Sequence, residues 1–250
     1  MASNPPGQCC TQGVKHEGQA TGEMKTIGGY ETYVAYPKSK STDKAVLILT
    51  DVIGHRFVNA QLIADQFAAN GYFVAMPDLF AGDPMPLNPP AGFDFAKWMA
   101  AGHTVEHVDP VVDAVVKDLR GGHGVKKLGA VGYCFGAKYV ARFLKRGLLD
   151  AGYMAHPSFV DEAELEAIEG PLSIAAAETD QIFPTPKRRL SEDILFKKAV
   201  PWQINLYSDT VHGFAVRADL TQPRAKWAKE QAFLQAVHWF DEHLKDTAKL

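Results

Sequence analysis

Cysteine, net charge and long apolar runs are all scarce in this 250-residue chain, and each scarcity removes a class of protein. Three cysteines are an odd number, and two of them, Cys9 and Cys10, are adjacent and would not pair without strain, so no disulfide framework is indicated. A formal net charge of −3 leaves no diffuse basic field, and cations are scattered or held in short runs such as Lys187, Arg188 and Arg189. Nucleic acid is therefore not an expected partner. No stretch approaches the roughly 20 apolar residues of a membrane span, and the start, MASNPPGQCCTQGVKHEG, has no basic stretch followed by an apolar run. A cytoplasmic protein with no membrane partner is expected.

What is present is ordinary for a folded enzyme: 46% hydrophobic and 22% charged residues, with no repeat or low-complexity tract. A polar leader, residues 1–22, precedes a domain expected to span residues 23–250. Thr26 to Tyr36 predicts short edge strands around Gly28-Gly29. The run Ala45 to Thr50 is apolar without alternation, as in a strand buried on both faces of a parallel sheet. Helical spacing follows in Val58 to Ala69, then a second buried strand in Tyr72 to Met76. Asp83 to Gly92 carries four prolines and predicts a surface loop near a site.

The alternation continues: helix His103 to Leu119, strand Lys127 to Gly132, helix Ala137 to Lys145, strand Gly152 to Ala155 and an acidic helix Asp161 to Ile168. Strand Leu172 to Ala177, helix Lys187 to Lys198, strand Trp202 to Tyr207 and helix Pro223 to Leu244 follow. The last helix shows an apolar stripe of Trp227, Phe233, Leu234, Val237, Phe240 and Leu244. The fold class is α/β, one domain with a mostly parallel central sheet and helices on both faces.

The strongest local signal is Lys127 to Lys138, a strand that runs into Gly132-Tyr133-Cys134-Phe135-Gly136 and then a helix. A nucleophile held on a sharp turn needs small residues two positions away on either side, where strand and helix approach closely. Cys134 should stand exposed at the helix N-terminus, whose free amides favour a thiolate. A buried structural cysteine is the competing reading. A thiol nucleophile needs a base and an orienting acid, in the order nucleophile, acid, histidine along this fold. Asp180 and His212 follow later strands in that order. Glu178 competes locally with Asp180, and Asp209, on the histidine's own loop, is the weaker competitor. The amides of Phe135 and Val52 are the candidate oxyanion donors. Asp51 lies beside Val52 and would hold a nearby thiol protonated, unless it is only a turn residue.

These residues resemble the dienelactone hydrolase family: Gly132-Tyr-Cys-Phe-Gly136 is similar to its cysteine elbow, Glu178-Thr-Asp180 to its acid loop and Val211-His-Gly-Phe214 to its histidine loop. The resemblance runs from about Thr26 to Leu244 and implies a single α/β-hydrolase domain without a large cap. It implies that the cysteine attacks a lactone carbonyl, that an enolate-bearing acyl-enzyme forms and that water completes hydrolysis. Asp51 stands where the family carries a glutamate that restrains the resting thiol, and Ala137 replaces a second glycine after the elbow. Arg217 is the match for an arginine that holds a substrate carboxylate, displaced by one residue, with a solvated surface arginine as the alternative.

The leader, with Cys9-Cys10, Gly13, His16 and Gly18, is similar to the start of fungal members. Its spacing suits zinc poorly, so packing or a terminal tail is expected, with no metal and no cofactor. His156 is expected to line the pocket or cap a loop, and Phe57, Phe93, Trp98, Tyr133 and Phe135 to be pocket wall or core. The expected function is hydrolysis of a small-molecule ester, lactone or enol-lactone through a Cys134-Asp180-His212 triad, by a monomer or homodimer. Non-hydrolytic isomerase or lyase chemistry, or a catalytically silent small-molecule-binding protein on the same fold, are the alternatives.

Overall fold

Apolar runs without alternation become the central strands of an eight-stranded sheet in the computed structural model, which describes residues 1–90 and 92–244. Two short strands, β1 (Glu23–Ile27) and β2 (Tyr30–Ala35), form an antiparallel edge hairpin. They precede β3 (Lys44–Leu49), α1 (Val58–Ala69), β4 (Phe73–Pro77), α2 (Phe95–Ala100), α3 (Val105–Gly121), β5 (Lys127–Tyr133) and α4 (Gly136–Phe143). The second half carries β6 (Ala151–Ala155), α5 (Glu162–Glu166), β7 (Leu172–Thr179), α6 (Thr185–Phe196), β8 (Trp202–Val211), α7 (Phe214–Arg217) and α8 (Pro223–Leu244).

The strand order is β1-β2-β4-β3-β5-β6-β7-β8, antiparallel as far as the β2–β4 pairing and parallel from β4 onward. All of β4 and β6 and nearly all of β3 and β5 are buried, because helices cover both faces of a parallel sheet. The chain leaves β3 toward β4 and returns to β5 on the other side, so the sheet order reverses between β3 and β5. The loops after those two strands meet at their carboxyl ends, where open α/β sheets place ligands. One loop carries Asp51 and Val52, the other Cys134.

Two glycines of β5 show how close the layers lie. A Cβ on Gly129 would sit 2.7 Å from the Phe240 ring of α8, and one on Gly132 would sit 2.6 Å from the Ala137 backbone of α4. The odd spacing of these positions puts α4 and α8 on opposite faces. Phe67 of α1 packs on Phe233 and Phe240 of α8, while Arg142 of α4 pairs with Asp109 of α3.

The predicted stripe of α8 is corrected in part. Val237, Phe240 and Leu244 are buried, but Trp227 and Leu234 face outward at 46% and 39% exposure. Ala228, Ala232 and Ala236 carry the buried face instead, since small residues let the helix lie close enough for the Tyr153 hydroxyl to donate to the Ala232 carbonyl at 2.7 Å. Helices α2 and α7 were not anticipated. Asp94 caps α2 by accepting from the Lys97 amide at 2.9 Å, and α7 is one buried turn entered through Gly213 at φ 90°. None of the described helices is long and apolar enough to cross a membrane.

Candidate active site

The elbow forms as the spacing requires. Cys134 adopts φ 50°, a left-handed conformation that is uncommon and strained for a residue with a side chain. A Cβ on Gly136 would lie 1.9 Å from the Leu49 carbonyl oxygen, so β3 and α4 can meet only over glycine. The turn is pinned from three sides. Cys134 N donates to Ala155 O at 3.1 Å, Ser158 N donates to Cys134 O at 3.0 Å and Gly136 N donates to Thr50 O at 3.1 Å.

His212 and Asp180 converge on this turn. His212 Nδ1 lies 3.0 and 2.9 Å from the two oxygens of Asp180, and His212 Nε2 lies 3.1 Å from Cys134 Sγ. Because an ionised carboxylate only accepts, the Nδ1 proton points to Asp180 and leaves Nε2 facing sulfur. Asp180 Oδ1 also accepts from the amides of Ile182 and Phe183 at 2.7 and 3.0 Å, which fixes the carboxylate. The competing acids turn elsewhere: Glu178 accepts from the Asp209 amide at 2.7 Å, and Asp209 faces Arg224 at 3.4 Å.

Burial would push the Cys134 thiol up, but the hydrogen bond from Cys10 and the charges of His212 and Arg217 outweigh it and hold the thiol well below its ordinary value. Burial likewise depresses His212, and the charge on Cys134 with the Asp180 hydrogen bond reverses that, so the imidazole is raised. Both shifts run in the direction of a thiolate beside an imidazolium.

The expected exposure of Cys134 is overturned: its residual exposure is 0%. The leader folds over it. A 3₁₀ turn, Gln8–Thr11, brings Cys10 Sγ to 3.4 Å from His212 Nε2, and the Gly7 amide lies 3.4 Å from the same sulfur. This segment is fastened along its length. Ser3 N donates to Val160 O at 3.0 Å, Val14 N to Arg217 O at 3.0 Å and His16 N to Asn59 Oδ1 at 2.7 Å. Cys10 is the site residue that sequence reasoning missed. Its one signal was the adjacent Cys9-Cys10 pair near the chain start in an otherwise cysteine-poor protein.

Two clefts flank the leader and share Gln8 and Gln12. One, of about 660 Å³, is lined by Cys9, Gln181, Thr210, His212 and Arg217 among others; the second, of about 470 Å³, by Thr11, Asn88, Pro90, Phe93 and Phe95. His212 borders the larger cleft, whereas Cys134 borders neither.

The remaining predicted residues are near the elbow but differ in their surroundings. Val52 and Phe135 are buried, and among the described residues neither amide donates to a protein acceptor. Asp51 is buried and forms an ion pair with Arg217 instead of a hydrogen bond to the thiol. Arg217 is not a solvated surface residue: it is 2% exposed, and its Nε donates to Gln12 O at 3.0 Å. Its Nη2 has no hydrogen-bond partner among the described residues. His156 is buried with neither ring nitrogen hydrogen-bonded among the described residues, its ring edge-on to His212 at 5.0 Å, and burial followed by the charge of His212 holds it well below its ordinary value. Tyr133 packs at 6.1 Å from His156, and burial raises its hydroxyl pKa. Phe57, Trp98 and Phe135 are core, while Phe93 is exposed on the smaller cleft.

Comparison with known proteins identifies the family. Residues 30–244 match the model of the dienelactone hydrolase family. The hydrolase tropI of Talaromyces stipitatus is 52% identical, over 98% of this chain and 100% of that protein. Dienlactone hydrolase 1 of Gibberella moniliformis is 35% identical, over 96% and 95%. A solved dienelactone hydrolase-like promiscuous phosphotriesterase from metagenomic libraries superposes with a TM-score of 0.70 at 17% identity, over 90% of this chain and 98% of that one, a likeness of fold alone.

Proposed function

Because the chain belongs to the dienelactone hydrolase family, we propose that it is a hydrolase of a small ester, lactone or enol-lactone in which Cys134 is the nucleophile, His212 the acid–base and Asp180 the orienting acid. The observation that carries the reading is the continuous chain from Asp180 through His212 to Cys134 Sγ, at 2.9 and 3.1 Å, on an elbow at φ 50°.

The thiolate adds to the carbonyl carbon, forming a C–S bond while the carbonyl electron pair moves to oxygen. The amides of Val52 and Phe135 are the donors for that oxyanion. Collapse expels the alkoxide or enolate, which takes the proton from His212 Nε2. In a lactone the leaving group stays tethered to the acyl chain. His212, now neutral, takes a proton from water as the water adds to the thioester, and the second collapse returns the thiolate. Asp180 holds the imidazole in the tautomer that both halves need. Arg217, buried beside Asp51, supports the thiolate by its charge.

Turnover also requires displacement of Cys10, since the nucleophile is covered and the substrate cleft reaches only as far as His212. The experiment is a panel of lactones, nitrophenyl esters and thioesters assayed with wild type and Cys134→Ala, with products analysed in ¹⁸O-labelled water. Label in the acid product and loss of turnover in Cys134→Ala support hydrolysis through this residue. Unlabelled, rearranged product would favour isomerase chemistry.

A further inference from the structure

The proposed hydrolysis proceeds with Cys10 displaced and gives it no chemical step, although here its sulfur is fully buried against Cys134 and His212. We propose that Cys10, Cys134 and His212 form a binding site for a soft divalent cation, zinc, which fastens the leader over the elbow and reversibly shuts the enzyme.

The donor atoms come first. Cys10 Sγ, Cys134 Sγ and a His212 ring nitrogen all lie within 4.8 Å of one another, and all three residues are buried. Two sulfurs and an imidazole are the set zinc prefers, and with no oxygen among them calcium and magnesium are disfavoured. Zn–S bonds of about 2.3 Å and Zn–N bonds of about 2.0 Å at tetrahedral angles place sulfur and nitrogen about 3.5 Å apart. The separations here are 3.4 Å from Cys10 and 3.1 Å from Cys134 to Nε2. The two sulfur–nitrogen separations thus lie within a few tenths of an ångström of that spacing, and the fourth position of an ion is left for water.

Each donor is also held from behind, as metal ligands are. Asp180 fixes the His212 ring through Nδ1 at 2.9 Å, the Gly7 amide lies 3.4 Å from Cys10 Sγ and Ser158 Oγ lies 3.5 Å from Cys134 Sγ. A single ring nitrogen meanwhile faces two sulfurs. Nε2 has one lone pair or one proton and cannot serve both at full strength, whereas a cation in the middle takes a lone pair from all three, the Cys10 and Nε2 protons leaving to solvent as it binds. Cys10 and His212 are 202 residues apart in the chain, so the ion would tie the leader to the catalytic loops.

The shut-off part of this inference rests on the cysteine chemistry proposed above; the binding part does not. Reduced full-length protein is titrated with zinc in competition with a chromophoric chelator, and separately with cobalt(II), whose thiolate charge-transfer absorption reports sulfur ligation. One equivalent of zinc is expected to bind, with ester turnover falling in step with occupancy and returning on addition of EDTA. Cys10→Ser, with its fold checked by circular dichroism, should weaken zinc by more than the 10- to 100-fold typical of losing an outer partner. Cys9→Ser should keep wild-type affinity; Cys10→Ala is the second variant should the serine not fold. Absence of the cobalt–thiolate band, or wild-type zinc affinity in both Cys10 variants, would overturn the site. Binding with turnover undiminished at full occupancy overturns the shut-off and the cysteine mechanism, while a protein inactive from the start leaves the binding result to stand alone.

Discussion

Replacing Asp180 by asparagine tests the relay with little change of shape. Asp180 Oδ1 accepts from two backbone amides, Ile182 and Phe183, and asparagine must keep its single oxygen there. Its NH2 then takes the place of Oδ2 and faces His212 Nδ1, formerly at 2.9 Å, as a donor. The imidazole has to move its proton to Nε2 and can no longer take one from Cys134. The same change in a serine triad lowers kcat by ~10⁴, which is about 5 kcal/mol at 1.36 kcal/mol per tenfold. A thiol is intrinsically more acidic than an alcohol and depends less on the base, so the loss expected here is on the order of 10²- to 10³-fold in kcat/KM. Nitrophenyl ester turnover measures it, and alkylation of Cys134 by iodoacetamide should shift to higher pH in the same variant. Asp180→Asn within about twofold of wild type, alongside an inactive Cys134→Ala, would refute the assignment of Asp180.

The remaining predictions concern pH, the buried ion pair, the elbow and the leader. Cys134 is depressed well below the ordinary thiol value and His212 raised to about 10, so thiolate and imidazolium coexist between the lowered thiol pKa and about pH 10. The stability that depends on Cys134 is lost as pH falls through its lowered pKa, and that on His212 as pH rises through its raised one. Cys134 alkylation should therefore be flat across that window, where a tenfold rise per pH unit would mark an unpaired thiol. Arg217→Ala strands Asp51 as an unpaired buried carboxylate and should cost about 3–5 kcal/mol in urea unfolding, with part recovered by adding Asp51→Asn. Gly136→Ala sets a Cβ 1.9 Å from the Leu49 carbonyl oxygen and should lower stability by at least the ~1–3 kcal/mol of an overpacked core, so an unchanged Tm would contradict the elbow geometry. Removing residues 1–12 uncovers Cys134 and should speed its alkylation at least tenfold; an unchanged rate would show that the leader does not limit access.

What the sequence made legible follows from how local the causes are. Buried parallel strands and the elbow are written in short runs, and Gly132 and Gly136 were readable from the spacing of the turn, although the clash Gly136 avoids is with Leu49 of the neighbouring strand β3. Chain order favoured Asp180 over Glu178 and Asp209, and of the three it is Asp180 whose carboxylate lies against His212. Features set by distant contacts were not readable. Asp51 stands next to Val52 in sequence, but its partner is Arg217, 166 residues away. Whether the leader packs or trails as a tail was not readable, because its bonds run to Val160, Arg217 and Asn59, all far from it in the chain. Helix α7 is a single turn, too short for periodicity to register, and the buried alanines of α8 carry little hydropathy signal although they set the helix-to-sheet distance.

The central claim is that Cys134 carries the acyl group. Wild-type protein mixed with an activated ester, quenched in acid during turnover and peptide-mapped by mass spectrometry should show the acyl mass on the peptide containing Cys134, and none there in Cys134→Ala. Acyl mass on Cys9 or Cys10 instead, or undiminished turnover in Cys134→Ala, would contradict the account.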